Sequence, residues 1–303
     1  MGKSMDRNER FRMADRVIAI GFFVNAGLMI LKLLAGYFGN SEAVFADGIE
    51  SASDFVAILS TIVALKIGRM PFDADHPYGH GKAESISAIL VSIVIFAAGL
   101  GILYRASCTI MTGKYLEPHL IAVMAAFLTI LIKEALYHIT HRVSEKLESP
   151  AVDAIAKDHR KDALTSIATL VGVGGAYFGV SFLDPLAAAL TTLFIFRIGW
   201  VTLRSAICDL MDSQVPAETL SAITAIAEEV RGVECVHEIR GRRSGQYMII
   251  DLKLEMDPEM TVKQSHEIAT QVKRLIFMKI SNIGDVMIHI NPSREAHEDL
   301  IRL

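Results

Sequence analysis

Six stretches of this sequence are apolar enough to lie in a lipid bilayer, which a helix crosses in about 20 residues. Two of them, Ser85–Tyr104 and Ala163–Leu183, contain no charged residue. The other four are shorter or carry an occasional charge: Val17–Gly39, Val44–Ile67, His119–Ile132 and Pro185–Leu203. The sequence therefore predicts an integral membrane protein built on an all-α six-helix bundle.

Charged residues are distributed unevenly along the chain. The last 95 positions hold 27 of them, whereas the first 208 hold 37. We therefore expect a six-span transmembrane domain over residues 1–208 and a C-terminal domain over residues 209–303. The net charge of −4 gives no support to a nucleic-acid partner. The three cysteines lie far apart and indicate neither a disulfide framework nor a thiolate zinc site.

Basic residues indicate the orientation of the spans, because loops rich in lysine and arginine stay in the cytoplasm. They cluster before the first span, between the second and third, and between the fourth and fifth. Examples are Arg10 and Arg16, Lys66 and Arg69, and Arg142. Both ends of the chain are therefore expected to be cytoplasmic.

The C-terminal domain shows a second pattern of elements. Helical spacing covers Ala217–Val230 and Thr261–Ile280, with Thr261 as the expected N-cap. Alternating strands follow at Val233–Arg240 and Tyr247–Met256, joined by a GRRSGQ hairpin signal, and Asp285–Ile290 is a final strand. The order αββαβ predicts a small, ferredoxin-like α/β domain in the cytoplasm.

Acidic residues within the spans are the strongest functional signal. Glu50 and Asp54 are four residues apart in the second span, and Asp158 and Asp162 repeat that spacing at the start of the fifth. This spacing places each pair on one helix face. An ionised carboxylate at the bilayer centre costs at least ~2.5 kcal/mol, so a cation-binding role is favoured.

Four converging carboxylates can bind a divalent ion through oxygen, and protons can replace the metal when it leaves. The pattern thus favours a metal/proton exchanger. The alternative is that the acids form structural ion pairs with Lys32, Arg197 or Arg160. Asp47, one turn before Glu50, could support the site or simply belong to the first turns of its helix; both interpretations stay open.

Three motifs resemble the cation diffusion facilitator family: ADGIESASD (46–54), HPYGHGKAE (76–84) and DHRKDALTS (158–166). The resemblance covers nearly the whole chain. It implies a homodimer that exports divalent metal from the cytoplasm in exchange for protons by alternating access. It also implies a transport site at Glu50, Asp54, Asp158 and Asp162.

The absence of histidine from these four positions departs from zinc-transporting members and favours manganese or iron, with zinc left open. His159 neighbours Asp158 and could replace it as a ligand. The metal is the substrate, and no cofactor is expected.

The resemblance implies further sites outside the bundle. Asp73, His76 and His80 match a metal site in the cytoplasmic loop, although that loop could serve only to fix helices. Lys82 matches a lysine that pairs with an acid at the start of the tail, here Asp212. In the tail, a regulatory metal could be held by His237, His266, His289 and Asp251; the alternative is a metal-free dimer contact.

The same sequence features allow functions other than metal export. A sodium/proton-type antiporter could use the same carboxylates, but sodium has no use for the loop histidines. A family member that acts mainly as a scaffolding membrane protein is a further alternative. No nucleophile–base pair or cofactor motif indicates an enzyme. The short loop between the fourth and fifth spans, without a histidine-rich insertion, favours a prokaryotic inner membrane.

Overall fold

Residues 7–293 are described by a computed structural model, so the predicted domains 1–208 and 209–303 both extend beyond the described part of the chain. The first six elements are long helices: α1 (Arg7–Phe38), α2 (Glu42–Gly68), α3 (Ala83–Thr112), α4 (Leu120–Leu147), α5 (Pro150–Tyr177) and α6 (Leu183–Leu210). Five of them, all except α5, are long and apolar enough to span a membrane. The predicted class of helical membrane protein is confirmed.

Helix α5 differs from its predicted span. The prediction placed an uninterrupted apolar stretch over Ala163–Leu183, but α5 ends at Tyr177 and Leu183 already begins α6. Gly179 lies between the helices with a φ of +104°, a conformation that glycine adopts without steric cost. The predicted fifth span therefore included the turn after α5. The helix itself begins earlier, at Pro150, and its first half carries charged residues.

Two compact units make up the described chain. One comprises the residues up to Leu59 together with Leu90–Val201, and the other comprises Ser60–Ile89 together with the residues from Thr202 onward. The first unit contains most of the helix bundle. The second contains the connection between α2 and α3 and the whole C-terminal domain.

Small residues let the helices of the first unit approach closely. A Cβ added at Gly172 of α5 would lie 2.3 Å from Cβ of Ala187 in α6, and one at Gly99 of α3 would lie 2.6 Å from the Phe196 ring. Membrane helices associate through such backbone contacts because lipid offers no hydrophobic driving force between them. The glycine-rich segment of α5 is thus a packing surface.

The start of α2 is fixed by an acid from another helix. Asp184, buried at the start of α6, accepts hydrogen bonds from the Ser41 hydroxyl at 2.6 Å and from the Glu42 and Ala43 backbone N–H groups at 2.6 and 3.3 Å. These are N–H groups that a helix leaves without internal partners. The contact aligns the helix that carries Glu50 and Asp54.

The C-terminal domain has the predicted order αββαβ. Its elements are α7 (Ala217–Glu228), β1 (Cys235–Ser244), β2 (Tyr247–Met256), α8 (Val262–Lys279) and β3 (Ile283–Pro292). The sheet order is β1-β2-β3, with β1 antiparallel and β3 parallel to β2. A capping box between Thr261 and Gln264 begins α8, which confirms the expected N-cap.

The hairpin of this domain is tighter than expected. Strand β1 continues to Ser244, which pairs with Tyr247, so only Gly245 and Gln246 form the turn. Gly245 has a φ of +60°, as such two-residue turns require. One face of the sheet packs on α7 and α8 through buried residues including Ile223, Leu252 and Val272.

Candidate metal transport site

Three of the four predicted transport carboxylates form a group in the first unit. Glu50 and Asp54 lie one turn apart on α2, and Asp162 of α5 lies within electrostatic range of both. Glu50 and Asp162 are half-buried, whereas Asp54 is exposed on the surface of this chain. No described residue hydrogen-bonds or ion-pairs with the Glu50 or Asp54 carboxylate. These two acids therefore have no direct ion-pair partner among the described residues, although Lys32 acts on Glu50, and Lys161 and Lys133 act on Asp54, at longer range.

The fourth predicted residue, Asp158, is arranged differently. Its side chain is 63% exposed and its carboxylate lies 2.9 Å from Nζ of Lys161. It is within electrostatic range of Asp54. In the described part of the chain, however, the four predicted ligands do not bring their oxygens within 4.8 Å of one another. A single ion would require the carboxylates to draw together.

His159 points into the interior of the bundle, whereas the neighbouring Asp158 is exposed. The residue is buried, and neither ring nitrogen has a hydrogen-bond partner. The ring packs on α1 at Gly21, where an added Cβ would lie 3.2 Å from Nε2 of His159. This imidazole therefore fills a space between helices, one position along α5 from the exposed Asp158.

A lysine outside the predicted set of site residues contacts Asp162. Nζ of Lys133, on α4, lies 2.7 Å from Oδ2 of Asp162, and the lysine side chain is only 5% exposed. Lys161 lies 3.8 Å from the other oxygen. A signal is present in the sequence, since Lys133 is a basic residue that directly follows the predicted fourth span, His119–Ile132.

A second buried lysine pairs with Asp47. Nζ of Lys32 lies 2.8 Å from Oδ1 of Asp47 and 3.2 Å from the Ser51 hydroxyl. The other oxygen of Asp47 accepts a hydrogen bond from Ser166 of α5 at 3.1 Å. Lys32 thus forms its ion pair with Asp47, and Glu50 lies within its electrostatic range. Asp47 thus links α1, α2 and α5 at a position one helical turn before Glu50.

The loop between α2 and α3 brings three predicted ligands together. Asp73, His76 and His80 have ligand atoms that all lie within 4.8 Å of one another. Nδ1 of His76 is 3.1 Å from Oδ1 of Asp73, and Nε2 of His80 is 3.5 Å from Oδ2. A hydrogen bond from the His76 backbone N–H lowers the pKa of the Asp73 carboxyl, so this group stays ionised and available.

Lys82 and Asp212 form an ion pair within the second unit. Nζ of Lys82 lies 2.7 Å from Oδ1 of Asp212, and Arg242 lies 3.4 Å from the other oxygen. The hydrogen bond from Lys82 is the main reason why the pKa of Asp212 lies below its usual range. Asp212 has a positive φ of 54°, which orients it in the connection after α6.

The four predicted tail ligands do not meet within one chain. Asp251 and His289 lie on neighbouring strands, on the sheet face opposite the core, and His237 on β1 lies 3.1 Å from Glu255 on that face. His266 is exposed on α8, which packs on the other face. The sheet separates His266 from the others, so a site using all four would need a second chain or a rearrangement.

Comparisons with known proteins agree with this arrangement of elements. Residues 18–211 match the cation efflux transmembrane domain, and residues 215–293 match the cation efflux protein cytoplasmic domain. The chain belongs to the cation diffusion facilitator family. It is a multi-pass membrane protein and a divalent metal efflux transporter rather than an enzyme, as the sequence predicted.

Several relatives are similar over almost the whole chain. The manganese efflux system protein MneP of Bacillus subtilis is 35% identical, covering 94% of this chain and 98% of MneP. The magnetosome protein MamM of Magnetospirillum gryphiswaldense is 34% identical, covering 92% of this chain and 87% of MamM. Metal tolerance protein C1 of Arabidopsis thaliana is 35% identical over 92% of this chain, which spans 62% of the plant protein.

Proposed function

We propose that this transporter exports manganese, with iron as the next best substrate, from the cytoplasm in exchange for protons. The observation that carries the proposal is the group formed by Glu50, Asp54 and Asp162, which offers only oxygen ligands among the transmembrane helices. Carboxylate oxygens suit Mn²⁺ and similar hard ions, whereas zinc prefers nitrogen and sulfur. The 35% identity to a protein named for manganese efflux supports the same choice.

Exchange with protons follows from the chemistry of these ligands. A carboxylate binds metal only after it loses its proton, so metal and protons compete for one site. Among the described residues, neither Glu50 nor Asp54 forms an ion pair with a lysine or arginine. The lysines that act on them at longer range are already paired with other acids: Lys32 with Asp47, Lys133 with Asp162 and Lys161 with Asp158. Either a metal ion or protons must therefore neutralise them, which supports antiport by alternating access.

The exposure of the acids suggests the route of the metal. Asp158 is 63% exposed near the start of α5, and Asp162, one turn further along, is 20% exposed. The connection before α5 is predicted to be cytoplasmic. Asp158 would therefore meet the metal first and join the other carboxylates as the ion moves inward.

The remaining predicted sites take supporting roles in this proposal. Asp73, His76 and His80 supply one oxygen and two nitrogen ligands for a second ion at the cytoplasmic loop. The C-terminal domain would pair two copies of the chain, in the inner membrane of a prokaryotic cell. Lys82 and Asp212 would hold the loop to the chain after α6.

The test is transport by the full chain in proteoliposomes with an opposing pH gradient and Mn²⁺, Fe²⁺, Zn²⁺ or Cd²⁺. We expect manganese uptake that depends on the proton gradient and is lost in Asp54→Asn but kept in Glu117→Gln, an exposed acid in a loop. Asp158→His should shift preference towards zinc. Undiminished flux in Asp54→Asn, or flux indifferent to the pH gradient, would disprove the proposal.

A further inference from the structure

The contact between Lys133 and Asp162 places a fixed positive charge on a predicted metal ligand. The Lys133 side chain is almost fully buried, and its ammonium donates to Oδ2 of Asp162 at 2.7 Å. The lysine comes from α4, whereas the carboxylate comes from α5. The site therefore already holds a cation that is tethered to the protein.

The other buried lysine in this part of the bundle shows why the position matters. Lys32 is equally buried and lies equally close to an acid, but that acid is Asp47, which is outside the predicted ligand set. Asp47 also holds Ser166, so its two oxygens are both engaged. Metal can bind without disturbing the Lys32 pair, whereas an ion that binds Oδ2 of Asp162 meets Lys133 there.

A metal ion on Asp162 would stand close to the ammonium. Metal–carboxylate oxygen bonds are about 2.1 Å long, so an ion on Oδ2 of Asp162 and Nζ of Lys133 would lie within about 5 Å of each other, where like charges repel strongly. Lysine is a compact charge on a flexible four-carbon stem and can swing away. Binding would then exchange one cation for another on the same carboxylate.

We propose that Lys133 is a tethered competitor for the transport site, which occupies Asp162 in the metal-free protein and is displaced by the substrate. The inference rests on the proposed function, because it takes Asp162 as a metal ligand. It assigns Lys133 a role in specificity. A monovalent ion replaces one positive charge with another and gains little, whereas a divalent ion adds a positive charge beside Glu50 and Asp54, which form no ion pair of their own.

The experiment measures transport in proteoliposomes by the full chain and by Lys133→Gln. Removal of the competitor should lower the KM for Mn²⁺ by about tenfold, which corresponds to ~1.4 kcal/mol, and should make uptake sensitive to inhibition by sodium. A KM that is unchanged or higher, or uptake still insensitive to sodium, would overturn the proposal. A higher KM would show instead that Lys133 orients Asp162 for binding.

Two variants keep the test decisive. Lys157→Gln removes an exposed lysine of α5, the helix that carries Asp162, and an equal fall in its KM would mean that loss of any positive charge strengthens binding, which would also overturn the proposal. If Lys133→Gln does not fold, Lys133→Arg provides the test. Its guanidinium can donate hydrogen bonds to both oxygens of Asp162, so we expect a KM for Mn²⁺ above that of the wild type. An equal or lower KM would refute the proposal that residue 133 competes with metal for Asp162.

Failure of this inference can be told apart from failure of the proposed function. Lys133 acts on Asp54 only at longer range and forms its ion pair with Asp162, so Asp54→Asn removes a predicted ligand while leaving the Lys133–Asp162 contact in place. If Asp54→Asn transports normally, the site itself is wrongly placed. If Asp54→Asn is inactive while Lys133→Gln behaves as the wild type, the proposed transport site is supported and only the competitor role of Lys133 is refuted.

Discussion

Replacing Asp47 with asparagine should destabilise the helix bundle severely, because it removes the ion-pair partner of the buried Lys32 ammonium. Lys32 is 2% exposed, and its nitrogen has Asp47 at 2.8 Å and the Ser51 hydroxyl at 3.2 Å as its partners. Breaking a buried pair by removing one charge costs about 3–5 kcal/mol. We expect a loss of that size in the free energy of unfolding of Asp47→Asn.

The assay is reversible unfolding of the purified chain in detergent, with a double variant to isolate the interaction. Lys32→Met combined with Asp47→Asn removes both charges, so it should recover much of the stability that either single change loses. We expect the two changes to couple by at least ~2 kcal/mol, since residues in one network are not additive. The coupling measures the pair itself rather than the loss of either side chain.

An exposed pair of the same length provides the control. Lys157 and Asp153 on α5 are 2.7 Å apart, but the lysine is 73% exposed. Exposed pairs contribute at most about 1 kcal/mol, so Lys157→Gln should have a small effect. If Asp47→Asn costs no more than Lys157→Gln, burial does not determine the strength of these pairs and the reasoning is refuted.

Two further predictions concern helix packing and the Lys82–Asp212 pair. Gly172→Ala should destabilise the bundle by about 1–3 kcal/mol in the same unfolding assay, because its Cβ would overlap Ala187. Gly174→Ala meets nothing within 4 Å and should be neutral or stabilising by up to ~1 kcal/mol; the same loss in both would refute the packing argument. Asp212→Asn should cost less than about 1 kcal/mol at neutral pH, since the pair is exposed. The pKa of Asp212 is lower in the folded state than in the unfolded chain, where it is about 3.9, so the pair stabilises the fold fully only above that pH. The stability difference between the wild type and Asp212→Asn should therefore vanish as the pH falls through the folded-state pKa. A stability difference that grows in acid would contradict the assignment.

Local sequence signals predicted most of the fold because they act over a few residues. The Thr261–Gln264 capping box begins α8 where expected, and apolar length identified the helices of the bundle. The prediction was wrong at the fifth span, where the apolar stretch of Ala163–Leu183 runs through the turn at Gly179. Hydropathy alone does not register a turn when the residues on both sides of it are apolar.

The candidate site was predicted in part for a similar reason. Helical periodicity places Glu50 with Asp54, and Asp158 with Asp162, from sequence spacing alone. It does not say which residues of one helix face another helix. The ion pair between Lys133 and Asp162 joins residues 29 positions apart, and only the packing of α4 on α5 brings them together.

The sequence by itself determined the family, the bundle and tail, and the helix faces that carry the acids. The tertiary structure decided which acids form ion pairs: Asp47 with Lys32 and Asp162 with Lys133, whereas Glu50 and Asp54 form none with the described residues. The physical reason is the range of each interaction. Spacing along a helix is fixed by backbone geometry, whereas the burial and pairing of a charge depend on which other helices pack beside it.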